Sequence, residues 1–378
     1  TQSRSSAASD VYKRQALGCS SLALGPVFSS ASHGYDTLDY FTIDPRLGDD
    51  DDFDHLLQAA HARGLSVLLD GVFNHVSRRN RIVQDAQSAG PDSDAGRMVR
   101  WCAGRLDVFE GHSDLVALNH DNPAVREHVT RIMNYWCGRG VDGWRLDAAY
   151  SVNPEFWAAV LPSVREKYPD VWIFGEVIHG DYASIVRASG MDSVTRYELW
   201  KGIWSSIESR NFFELDHALG RHNEFSDAFT PMTFVGNHDV TRIASRVGQD
   251  GAVLATAILA TIGGIPLIYY GDELAYRGVK EERFGGDDDI RPVFPASPAD
   301  LSNLGADTLR AHQSLLGLRR RHPWLVDART ESLDLTNERY VYRTGVPGVE
   351  PLIVELDVRD GCSVLIREAG QVVWSSGA

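Results

Sequence analysis

The chain has 378 residues, enough for one large domain with a small appendage. Hydrophobic residues make up 43% and charged residues 24%, an ordinary soluble-enzyme composition, and the formal net charge is −15. That charge argues against nucleic acid and anionic membrane surfaces as partners, and it suits a neutral substrate. No apolar run reaches the roughly 20 residues of a spanning helix. The four cysteines (Cys19, Cys102, Cys137, Cys362) are scattered without a CxxC pair, so buried free thiols are expected.

Residues 1–15, TQSRSSAASDVYKRQ, have no apolar periodicity and no signal-peptide core. They read as a segment foreign to the fold or as a disordered tail, with the globular pattern starting at Ala16; the location is left open, with the cytoplasm favoured. A strand-like run, SSLALGPVF (20–28), then leads into a Gly/Ser-rich loop. In DDDDFDHLLQAAHARG (49–64), Phe53, Leu56, Leu57 and Ala60 mark one face of a helix that opens on acids and closes at Gly64. SVLLDGVF (66–73) is a buried strand. Residues 76–118 are polar and irregular, an excursion too long for a simple connection. Helical spacing returns at Val125, Val129, Ile132, Met133 and Trp136, behind an Asn122-Pro123 cap.

Strand and helix then alternate: strand 141–147, helix 153–167, strand 171–175, helix 181–189, strand 191–197 and helices over 198–228. Strand 232–236, helix 251–262, strand 265–270 and a helix near 307–321 complete the series. This βα rhythm predicts a parallel sheet wrapped in helices. Short β-type runs after residue 325, such as ERYVYRTG and LIVELDV, predict a small terminal β domain. Seven barrel-type strands are countable where a closed (β/α)8 barrel needs eight, and the gap falls before Ala16.

Four strand tips carry acids: Asp70 in SVLLDGVFNH, Asp147 in VDGWRLDAAY, Glu176 in VWIFGEV and Asp239 in TFVGNHD. Strand alternation puts Arg145 and Asp147 on one face, where a guanidinium would hold the carboxylate ionised, as a nucleophile requires. A structural Arg–Asp pair is the alternative. The apolar run before Glu176 predicts desolvation, which favours a protonated general acid, although capping of the next helix explains the residue equally well. His75, His238 and Asp239 are also compatible with packing and turn roles. Tyr35, in HGYDTLDY (33–40), offers either a sugar-stacking face or a core ring. No GxGxxG or phosphate loop follows any strand, so no nucleotide cofactor is expected.

Together and in this order, DGVFNH, GWRLDAAY, GEV and FVGNHD resemble the four signature regions of the α-amylase family of glycoside hydrolases. HGYDTLDY and YYGDE (269–273) resemble flanking ones. The resemblance runs from about Leu17 to Arg321. It implies an α/β fold, a (β/α)8 TIM barrel spanning residues 16–324, with an inserted subdomain at about 76–121 and a C-terminal β domain over 325–378. SSLALGPVF resembles the second barrel strand, so the barrel is expected to lack its first strand and helix.

The resemblance further implies Asp147 as nucleophile, Glu176 as general acid/base and Asp239 as the transition-state-stabilising carboxylate. Tyr35, Asp70, His75, Arg145 and His238 would contact the sugar. Asp36, in GYD, resembles an aspartate that reads the non-reducing end in exo-acting members. Many α-amylases carry Lys-His after the nucleophile, a grip on the glucan that also helps bind calcium; here Ala149-Tyr150 stands nearby. Asn74 matches a usual calcium ligand, although no cofactor is required for the expected chemistry. The implied activity is retaining hydrolysis of α-glucosidic bonds in α-glucans or gluco-oligosaccharides. Transglycosylation or isomerisation, and an inactive barrel serving as a binding scaffold, are the alternatives.

Overall fold

The computed structural model describes residues 17–283, 285–293 and 304–376. Residues 1–15, and the expectations attached to the segment before Ala16, lie outside them. The described chain divides into two compact units, one running over Cys19–Val194 and the other from Thr195 onward together with Leu17 and Gly18.

The first unit is built on a five-stranded parallel sheet: β1 (Ser21–Ala23), β4 (Ser66–Gly71), β9 (Gly143–Leu146), β10 (Trp172–Gly175) and β11 (Ser193–Val194), adjacent in that order. Spatial order follows chain order because each strand is followed by a crossover that returns the chain to the same end. The crossovers carry α1 (Asp50–His61), α3 (Pro123–Gly138), α4 (Pro154–Arg165) and α5 (Tyr182–Ser189). Their starts have local causes. Asp49 caps α1 in a reciprocal box with Asp52, while Asn122 and Asn153 cap α3 and α4 ahead of a first-turn proline. The buried residues of α1 include Phe53, Leu57 and Ala60, as the spacing predicts.

An aromatic cluster fills the interior. Phe28 lies 5.4 Å from the Trp136 ring and 6.4 Å from Trp144, and Phe73 lies 5.7 Å from Trp144. Rings this large bury their surface and prefer tilted or edge-on contacts, so they lock the helix layer to the sheet.

Two stretches differ from expectation. The loop holding HGYDTLDY contains a strand, β3 (Thr37–Ile43), paired antiparallel with β2 (Phe28–Ser30). The excursion is not wholly irregular either. It contains β5 (His75–Ser77), α2 (Arg81–Ala89), the β6–β7 hairpin (Trp101–Cys102, Arg105–Leu106) and β8 (Leu115–Ala117), which pairs with β5. Helix α2 buries only Val83 and Ala86, and that sparse apolar signal left it unread. The thiol expectation holds in part. No disulfide joins the four cysteines, but only Cys137 is buried and Cys102 is exposed.

In the second unit, α6 (Tyr197–Glu208) and α7 (Phe212–Ser226) lead to parallel strands β12 (Met232–Phe234) and β13 (Ile265–Leu267), joined through α8 (Ile243–Thr261). Helix α8 starts earlier than expected and breaks at Gly248, whose φ is 74°. After α9 (Ala306–Arg321) comes an antiparallel sheet in sequential order: β14 (Arg329–Leu335), β15 (Arg339–Gly345), β16 (Leu352–Asp357), β17 (Ser363–Glu368) and β18 (Gln371–Ser375). Alternating Tyr340, Tyr342 and Leu352, Val354, Leu356 bury one face of it, and Tyr342 bonds Thr261 of α8 at 2.7 Å. Among the described residues no helix is long and apolar enough to cross a membrane.

Gly143 shows how tightly the first sheet is set. A Cβ there would lie 2.4 Å from the Trp172 carbonyl oxygen and 2.9 Å from Leu68 Cγ. Because one obstacle is backbone, a rotamer change cannot clear it. Gly143→Ala should therefore cost about 3 kcal/mol, at the upper end of overpacking penalties. Urea denaturation checks this, and a loss under about 1 kcal/mol would show that the sheet yields there.

Candidate active site

Strand register assembles the site of the first unit. Asp70 of β4 is the Cα partner of Arg145 on β9, and Leu146 of β9 is the partner of Gly175 on β10. One residue further on, Asp147 and Glu176 leave the C-terminal tips of neighbouring parallel strands. These tips are where such folds gather polar groups.

Arg145 joins all three acids. Its Nη1 lies 2.6 Å from Asp70 Oδ2 and 3.1 Å from Asp147 Oδ1, and its Nη2 lies 2.9 Å from Glu176 Oε1. Burial alone would push the guanidinium pKa down. The charges of Asp70, Glu176 and Asp147 outweigh burial and hold it well above its ordinary value. The expected Arg145–Asp147 pairing is present. Glu176, expected among apolar residues only, is buried but also ion-paired.

The backbone contributes as well. Immediately after Asp147 the chain turns left-handed at Ala148 (φ 45°, ψ 38°), and the Ala148 N–H donates to Glu176 Oε2 at 3.1 Å. Such a conformation costs a non-glycine residue about 1–2 kcal/mol, here in exchange for a donor aimed at a buried carboxylate.

Tyr35 donates its hydroxyl to Asp70 Oδ2 at 3.0 Å, and the Arg145 guanidinium carbon lies 5.9 Å from its ring centre. His75 is buried, with Nε2 3.0 Å from the Tyr35 carbonyl oxygen and Nδ1 3.2 Å from Asn74 Nδ2. A neutral ring satisfies both contacts, as donor to the carbonyl and acceptor from the amide. Burial drives the His75 pKa from 6.5 to about 4, against the opposing pull of the Tyr35 carbonyl. Asp36 sits in the same loop, but its carboxylate accepts from Ser32 N–H at 3.1 Å and from Ser32 Oγ at 2.5 Å, which ties the loop to itself.

His238 and Asp239 belong to the second unit. His238 Nε2 lies 3.0 Å from Asp239 Oδ2, Arg291 Nη2 lies 2.9 Å from Asp239 Oδ1, and Arg291 Nε donates to the His238 carbonyl at 2.8 Å. Asn237 fixes the turn by accepting from Asp239 N–H at 2.9 Å.

Sequence reasoning missed Phe109, which stacks on His75 at 4.7 Å, and Glu110, which accepts a 2.8 Å bond from Tyr150. It also missed Arg291. None carries a periodic or motif signal, and each meets its partner across 34 to 52 residues of chain. Burial first, then the Glu110 bond, raises the Tyr150 phenol well above its ordinary pKa.

Asn74 lines a cavity on the excursion side of the first unit. Of the carboxylates lining the same cavity, Asp107 faces Arg100 at 3.5 Å and Glu110 holds Tyr150. Among the described residues no three His, Cys, Asp or Glu side chains gather to hold a metal.

The family model for the α-amylase catalytic domain matches residues 13–113 and 105–328. The chain belongs to the α-amylase family. The fold class is accordingly that of a (β/α)8 barrel with a C-terminal β domain. Alpha-amylase 3 of Dictyoglomus thermophilum is 32% identical over 306 residues, covering 73% of this α-amylase-family chain and 60% of that protein. The maltogenic alpha-amylase of Bacillus acidopullulyticus is 30% identical over 334 residues, covering 82% and 54%. The acarbose-soaked structure of the Nostoc punctiforme debranching enzyme superposes with a TM-score of 0.78 at 29% identity, covering 93% of this chain and 79% of that one. The chain thus spans a little over half the length of the curated relatives named.

Removing Arg145 would leave three carboxylates sharing a site without their common cation. Arg145→Leu should destabilise the fold by about 3–5 kcal/mol, and Arg145→Lys by less, since an ammonium keeps the compensating charge although it cannot reach three acids as the guanidinium fork does. Urea midpoints of both variants measure this, and wild-type stability in Arg145→Leu would contradict the hub role.

His75 makes a second prediction. Its folded pKa lies below its unfolded one, so from about pH 6.5 down to about 4 the unfolded chain binds the proton more readily. Its contribution is complete above that window and declines through it by up to about 3 kcal/mol. His128 and His222, lowered to about 4 and about 3 mainly by burial, act in the same direction. Urea titrations between pH 7.5 and 4.5 should show the decline, with a shallower slope in His75→Gln; an equal slope would remove His75 as a cause.

Proposed function

We propose that this chain is a retaining glycoside hydrolase cleaving α-glucosidic bonds in α-glucans or gluco-oligosaccharides. The observation that carries the reading is Asp147 and Glu176 at the tips of adjacent parallel strands, bound to opposite arms of one guanidinium. Membership of the α-amylase family supports the α-glucan class.

In this reading Asp147 attacks the anomeric carbon while Glu176 gives its proton to the leaving oxygen. The same Glu176 then takes a proton from water, which displaces Asp147 and leaves the anomeric configuration retained. Arg145 holds the nucleophile ionised and oriented. Tyr35, Asp70 and neutral His75 line the sugar side, and Asp239 with His238 takes the third-carboxylate role by its match to the family motif. No step needs a metal or cofactor. Ala149-Tyr150, in place of a Lys-His grip, favours short oligosaccharides, with Asp36 reading the non-reducing end.

Product analysis on starch, maltose, isomaltose, trehalose and sucrose tests the substrate class. Asp147→Asn should lose activity by at least about 1,000-fold. Glu176→Gln should stall on natural substrates, with azide restoring turnover of an aryl glucoside whose leaving group needs no proton. Inversion at the anomeric centre by NMR, or full starch or maltose activity in Glu176→Gln, would overturn the mechanism. Predominantly internal cleavage of starch with Asp36→Ala neutral would overturn the end-reading role.

A further inference from the structure

On the helical side of the first unit, an open groove of about 380 Å³ lies between α3 and the end of α4. Arg126, Arg131 and Lys167 line it, together with the hydroxyls of Thr130 and Ser163 and one carboxylate, Glu127. Arg126 and Thr130 are one helical turn apart on α3, as Ser163 and Lys167 are along α4 and its continuation. Each element therefore presents a cation and a hydroxyl from the same face.

These cations contrast with their neighbours. Arg139 at the end of α3 holds both Asp50 and Asp54, and Arg165 at the end of α4 holds Asp192 at 2.8 Å. On a chain of net charge −15, an arginine readily finds an acid. Yet Arg126, Arg131 and Lys167 form no ion pair among the described residues, and Arg126 Nε is buried without a hydrogen-bond partner.

Arg131 is also held in place. Its Nη2 lies 2.9 Å from His128 Nδ1, and its guanidinium carbon lies 5.4 Å from the Phe41 ring centre. Burial, then the nearby Arg131 charge, lowers the His128 pKa to about 4, so its ring is a neutral acceptor that positions the guanidinium without competing for an anion.

We propose that this groove binds the phosphoryl dianion of a small ligand. The Arg126 guanidinium, the Lys167 ammonium and the hydroxyls of Thr130 and Ser163 line one groove, with the Arg131 charge at its edge, a donor set that suits a tetrahedral oxyanion carrying up to two charges near neutral pH. The site is independent of the strand-tip carboxylates and of the hydrolytic reading.

Isothermal titration of the whole chain with inorganic phosphate and with glucose 6-phosphate tests the proposal. Both should bind with Kd of about 1 mM or tighter. Equal affinities would identify free phosphate as sufficient, whereas tighter glucose 6-phosphate binding would identify a phosphorylated metabolite; either supports the site. Arg126→Ala/Lys167→Ala should weaken binding by roughly tenfold or more. Lys167→Glu, at an exposed position past the end of α4, gives a second reading free of packing effects. Absence of binding at about 10 mM, or wild-type affinity in both variants, would overturn the proposal.

Discussion

The organisation of the first unit turns on one buried cation. Three carboxylates with little solvent access would repel one another and bear heavy desolvation costs. The Arg145 guanidinium, donating to Asp70, Asp147 and Glu176, makes their coexistence possible. The same contacts fix the direction of each acid. A planar fork with five donors can divide itself among several oxygens in a way that a point charge cannot. The stability of this cluster and the orientation of its acids therefore rest on the same interaction, and the local strain at Ala148 is part of it.

That arrangement depends in turn on the parallel register. Gly143 allows β10 to approach β9 closely, and the Phe28, Phe73, Trp136 and Trp144 rings hold the helices over the sheet behind it. The excursion after β5 supplies what the strands lack. Phe109 packs flat on His75, and Glu110, left-handed at φ 48°, is bonded to Tyr150 just beyond β9. A loop with little regular structure is thus anchored to the site at two points. The groove on α3 and α4 shows another use of charge, with cations that form no ion pair among the described residues of an acidic chain.

Much of this was legible in the sequence for identifiable reasons. Helices α1, α3 and α4 carry caps and a one-sided apolar stripe, which are local signals. The Arg145–Asp147 contact follows from strand alternation, since residues two apart share a face. The motifs at the strand tips pointed to the family before any geometry was known. Strand β3, helix α2 and the break in α8 at Gly248 were read differently or not at all. Their apolar patterns are short, or their form depends on packing partners elsewhere in the chain.

By itself, then, the sequence determined the βα alternation, the terminal β strands, the family and which residue types stand at the strand tips, because these are written in local spacing and short motifs. Only the tertiary structure decided which charges meet. It paired Glu176 with Arg145, Glu110 with Tyr150 and Asp239 with Arg291, partners separated by 31, 40 and 52 positions respectively. It also left Arg126 without an acid among the described residues. Electrostatic partnership depends on distance in space and on exclusion of water, and neither quantity has a period along the chain.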